Sequence, residues 1–66
     1  MDVNKAMSIC IKKDIKVYPI YNPPYFYVQV SGYDDEPKTF DKKILKNTEL
    51  LDAITKTYIF YANKVV

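Results

Sequence analysis

A chain of 66 residues and 7.7 kDa with a net charge of +2 has room for one small domain, 1–66. At 48% hydrophobic and 15% aromatic residues it lies well outside the composition of disordered chains. A single cysteine, Cys10, and no histidine exclude an internal disulfide and the usual zinc ligand sets. Chains this small bury only about 60% of their unfolded surface, and they commonly recruit disulfides, a metal or a second subunit. With the first two excluded, a homodimer is expected.

Residues 1–6 show no period and read as a loosely attached start. From Met7 the chain alternates, with Met7, Ile9 and Ile11 on one side and Ser8, Cys10 and Lys12 on the other, which predicts a half-buried strand over 7–12. Lys13-Asp14 follows as a turn. Ile15, Val17, Pro19 and Tyr21 then predict a second strand over 15–21. The two form a hairpin or one long bent strand. Pro19 cannot donate to a ladder, so the second strand belongs at a sheet edge or a bulge.

Asn22-Pro23-Pro24 breaks the chain, and the segment 25–32 is the clearest strand. Phe26, Val28 and Val30 make its core face, and Tyr25, Tyr27, Gln29, Ser31 and Tyr33 its opposite face. Gly32 beside Tyr33-Asp34-Asp35-Glu36-Pro37 marks a turn into a short returning strand over 38–40. Beyond Asp41 the period becomes helical: Ile44, Leu51, Tyr58 and Val65 recur every seven residues, with Ile54 and Tyr61 three after Leu51 and Tyr58. Thr48 as N-cap, Glu49 after it and Lys64 near the end predict a helix over 48–64. Residues 41–47 are an earlier turn of this helix or a separate one.

The predicted fold is α+β, a small antiparallel sheet of three to four strands with one C-terminal helix packed on one face. Its expected core is Ile9, Ile11, Val17, Phe26, Val28, Val30, Phe40, Leu51, Ile54, Tyr58 and Tyr61. Leu50, Ile59, Phe60 and Val66 lie off the main helical stripe. They call for a second covering surface, which either the edges of a small core or a symmetry mate would supply.

The chemistry available is narrow. No histidine serves general acid-base catalysis, no arginine clamps a phosphate, and one glycine cannot build a phosphate loop, so no enzyme is expected. Cys10 between Ile9 and Ile11 reads as a small buried or half-buried residue rather than a nucleophile. Asp34-Asp35-Glu36, with Asp41 after it, lacks the twelve-residue ligand pattern of an EF-hand; no metal or cofactor is expected. That acidic turn is a solvated loop or a patch that meets a basic partner.

The longest apolar run, Tyr58-Ile59-Phe60-Tyr61-Ala62, is too short to span a bilayer, and no signal-peptide core precedes it, so a cytoplasmic chain is expected. All ten basic residues are lysine, which reads as AT-rich coding of the kind found in phages, plasmids and low-GC bacteria. Charge segregates, with the only acidic stretch at 34–41.

The tyrosines allow three readings. Tyr25, Tyr27 and Tyr33 beside Asp34, Asp35 and Glu36 suit an aromatic anchor with a charged rim for a protein partner. The same tyrosines with Lys12, Lys13, Lys16 and Lys38 would form a stacking platform and basic groove for single-stranded nucleic acid. Tyrosine also simply favours strands.

A sheet of three or four strands followed by one helix in about this length resembles the layout of the small single-stranded-DNA-binding transcriptional coactivators. It is equally similar to that of short phage proteins that block host enzymes. The leading expectation is a small non-enzymatic protein-binding protein, encoded by a phage or mobile element. It would inhibit or modulate a larger host or defence protein, a nucleic-acid enzyme included. Single-stranded nucleic-acid binding is the alternative.

Overall fold

A computed structural model describes residues 1–40 and 42–66, so Asp41, grouped above with the acidic turn, lies outside the described residues. The chain runs α1 (Val3–Lys12), β1 (Lys16–Asn22), β2 (Tyr25–Ser31), β3 (Lys38–Thr39) and α2 (Asn47–Val65). The fold is α+β, with three antiparallel strands in the order β1-β2-β3.

The first element corrects the sequence reading, because residues 7–12 are helical and residues 3–6 belong to the same helix. Asp2 caps it, its carboxylate accepting the Lys5 backbone N–H at 2.9 Å. The alternation of Met7, Ile9 and Ile11 is real but does not determine what is buried. Ala6, Ile9 and Cys10, at i, i+3 and i+4, form the inward stripe, and Ala6 and Cys10 are fully buried. Lys13-Asp14 is a turn as expected, with Asp14 at φ 58°, but it joins a helix to a strand instead of closing a hairpin.

β1 and β2 pair along their whole length, from Lys16 opposite Ser31 to Asn22 opposite Tyr25. The connection is Pro23-Pro24, joined by a cis peptide. β1 is an edge strand, where Pro19 is tolerated. The other side of β2 is completed in two pieces. Thr39 and Lys38 oppose Gln29 and Val30, and the Phe40 N–H donates to Val28 O at 3.0 Å. Ile44 then exchanges both backbone hydrogen bonds with Phe26, at 2.7 and 3.1 Å. Ile44 therefore extends the sheet by a single bridge, and residues 42–46 are not an early helical turn.

α2 begins after Lys46, an extended residue whose side chain makes no cap; Thr48 lies inside the helix and is not its N-cap. α2 packs on the sheet face that carries Val17, Val28 and Val30, and α1 packs against α2, giving one cluster with Ala6, Cys10, Ile15, Ile44, Leu50, Tyr61 and Ala62. The Tyr58 hydroxyl donates to Val17 O at 3.3 Å, tying α2 to β1. Cys10 Sγ lies 3.6 Å from Tyr58 O, tying α1 to α2.

Of the expected core, Val17, Val28, Val30 and Tyr61 are buried. Ile9, Phe26, Phe40, Ile54 and Tyr58 pack half-buried around them. Ile11 and Leu51 are corrections, at 67% and 68% exposure. Ile11 is turned about 100° from Cys10 around α1. Leu51 precedes, by roughly two helical turns, the point where Cys10 meets α2. The off-stripe Leu50 is buried instead, while Phe60 and Val66 stay exposed.

Three substitutions separate these roles. Gly32 has φ 89°, and a Cβ there would clash with Asp14 O, so backbone strain and clash coincide. Gly32→Ala is expected to cost at least about 1–3 kcal/mol from the strain alone. Ile44→Ala should cost on the order of 2–5 kcal/mol and Leu51→Ala less than about 0.5 kcal/mol. Denaturant midpoints of the three variants check the order.

Candidate protein-binding face

Period two along β1 and β2 sends Lys16, Tyr18, Ile20 and Asn22 to the face opposite the core, where they meet Ser31, Gln29, Tyr27 and Tyr25. Neither helix lies there. The molecule extends only 13 Å along its shortest axis, enough for the sheet and one layer of helix. Its accessible surface, 4735 Å², exceeds the roughly 4,300 Å² of an average monomer of this mass.

This open face is therefore centred on Tyr18, Ile20, Tyr25 and Tyr27. Tyr18 and Ile20 were not singled out in the sequence. Alternation over 15–21 places them away from the core, but only the register, Ile20 opposite Tyr27, brings them beside the tyrosines.

Tyr33 does not join the row. β2 ends at Ser31, and Gly32 at positive φ redirects the chain. The Tyr33 ring then packs edge-on against Tyr61 of α2, with centroids 5.0 Å apart. Asp34, Asp35 and Glu36 follow on an exposed loop.

The lysines are scattered. Lys16 shares the open face with Tyr18. Lys38, opposite Val30, is on the core side and lies 5.8 Å over the Phe40 ring. Lys12 and Lys13 end α1 just before Asp14, which packs on Gly32, so they sit at the acidic-loop end of the sheet. Lys43, not a predicted site residue, lies 5.4 Å over the ring of Tyr25.

No described group of histidine, cysteine or carboxylate side chains is arranged to hold a metal ion. Among the described residues no helix is long and apolar enough to cross a membrane. Burial pushes the Cys10 thiol up from its ordinary value, so it stays protonated near neutrality. Comparison with protein-family models, curated proteins and solved structures finds no match to this chain.

Tyr61 is also shifted up, by burial first and then by the charge of Asp34 and by Tyr33. A group whose folded pKa is raised stabilises the fold below its unfolded pKa and loses that contribution as pH rises through the folded value. Both shifts are upward, so stability should decline on the alkaline side, through the range where free thiols and then free phenols ionise. Urea midpoints across that range check this. Cys10→Ala should flatten the earlier part of the decline and Tyr61→Phe the later part.

Proposed function

We propose that this chain is a small binding protein that acts by occupying a surface of a larger protein with the open face of its sheet. The observation that carries the reading is the group formed by the exposed Tyr18 and the half-buried Ile20, Tyr25 and Tyr27 on the sheet face opposite the core of the described residues. Flat aromatic and aliphatic clusters of this kind anchor protein interfaces, where tyrosine supplies contact area at low entropic cost. The exposed Asp34-Asp35-Glu36 loop after β2 is read as an acidic rim at one end of the sheet, which would favour a basic partner surface. A nucleic-acid enzyme of a host or defence system has such a surface, and blocking it would need no catalysis from this chain. A phage or other mobile element, suggested by the lysine-only basic set, is the setting in which such an inhibitor is useful. The homodimer expected from chain length is retained as an association through the same face.

Affinity capture from cells that carry the gene, with wild type beside Ile20→Lys/Tyr27→Ala, tests the reading. A partner held by the wild type should be lost, its affinity falling at least about tenfold. Asp35→Lys should weaken it less and change its salt dependence. Retention of the same proteins by every bait overturns the reading. Sedimentation of both proteins at micromolar concentration reports the dimer.

One contact favours a second reading, because Lys43 over Tyr25, with Lys16 on the same face, pairs cations with stacking rings. Binding of a labelled oligo-dT of about 12 nucleotides, followed by anisotropy, should then weaken steeply with salt and fall on Tyr25→Ala. An unchanged anisotropy at low salt removes it.

A further inference from the structure

The helix-covered side of the sheet is not sealed along β3. Between Phe40 and α2 lies an open cavity of about 230 Å³ whose floor and walls are Val28, Phe40, Ile44, Ala53 and Thr57. It adjoins a shallower hollow of about 300 Å³ between Phe40 and Phe60, and the two share Lys56 and Thr57. The one hydroxyl in the floor is engaged, since Thr57 Oγ1 donates to Ala53 O at 2.7 Å. What the groove offers an occupant is therefore apolar surface.

Its rim is basic. Lys42 and Lys56 border the cavity. Lys38 Nζ lies 5.8 Å from the Phe40 centroid and Lys64 Nζ 4.8 Å from that of Phe60. Asp52 meets Lys56 at 3.0 Å, but both side chains are mostly exposed, so water and salt screen the pair and an incoming carboxylate can share the ammonium. Two ammonium groups on the border, with those of Lys38 and Lys64 against the rings of Phe40 and Phe60, complement an occupant that is apolar in the middle and acidic at its edges.

Occupants of other kinds fit less well. Pockets for small ligands enclose most of the ligand's surface, and both hollows of this groove are open to solvent. The chain's own acidic run, offered by a second copy, lacks a free apolar anchor because the Tyr33 ring is held against Tyr61. An acidic peptide segment with large apolar side chains satisfies both the floor and the rim, in the helix-in-groove or extended mode of peptide recognition.

We propose that the groove between Phe40 and α2 binds an acidic segment of a partner protein, whose apolar side chains fill it and whose carboxylates meet Lys42 and Lys56. This surface lies on the opposite side of the sheet from Tyr25 and Tyr27 and selects the opposite charge from the acidic loop. It goes beyond the open-face reading and stands without it.

The test selects a random peptide display library on the immobilised protein at low salt and measures the enriched peptides by anisotropy. They should be acidic with aromatic or leucine anchors, and salt should weaken them. Lys42→Glu/Lys56→Glu and the groove-filling Ala53→Trp should each reduce affinity at least about tenfold, while Tyr27→Ala leaves it unchanged. Circular dichroism and thermal melting confirm that each variant is folded; the double lysine variant, altered only at exposed positions, decides if Ala53→Trp unfolds. Absence of enrichment, basic peptides, or equal binding to wild type and the double variant overturns the proposal. So does self-association of the wild type that Lys42→Glu/Lys56→Glu abolishes, since the occupant would then be a second copy.

Discussion

The structure depends on the close approach of α1 to α2, which small side chains permit. Ala6 and Cys10 on α1 and Ala62 on α2 have no exposed surface, and bulkier residues there would hold the axes apart. The contact places a second helix beside the one that covers the sheet. Of the surplus apolar residues of α2, Leu50 lies in the core and Ile59 packs against it, while Phe60 and Val66 stay exposed.

A core built on one side of a three-stranded sheet has two consequences for recognition. Among the described residues its far side carries no helix, and cross-strand neighbours and Lys43 shield the tyrosines. The near side is covered by helix only over β1 and the middle of β2. The third strand is made of two short pieces, Lys38–Thr39 and the bridge at Ile44, and a groove lies between that edge and α2. The two surfaces differ in charge as well as position. The acidic loop joins β2 to β3, whereas Lys42 and Lys56 border the groove.

How far the sequence could be read varies with the range of the interaction that determines each feature. The segments near 15–21, 25–32, 38–40 and 48–64 were legible because period and turn chemistry are local: Pro19 marks an edge, Pro23-Pro24 a reversal, and Gly32 a turn its φ requires. The segment 7–12 was misread because Met7, Ile9 and Ile11 satisfy the strand period while Ala6 and Cys10 satisfy the helical one. Two small residues carry little weight in a hydrophobicity pattern, although Asp2 before them is a cap signal. Of the candidate face, Tyr25 and Tyr27 were legible from alternation, whereas Tyr18 and Ile20 needed the register and Tyr33 was lost to a contact with α2.

The sequence by itself determined the α+β class, most strand positions, the long C-terminal helix and the shortage of catalytic and metal-binding side chains. These follow from residue type and from periods within a few residues. Tertiary structure alone decided that α1 is a helix, that Leu50 and not Leu51 is inside, and which tyrosines share a face. Each of these depends on which surface arrives opposite a residue, and that surface comes from a part of the chain tens of residues away, as where Cys10 meets Tyr58.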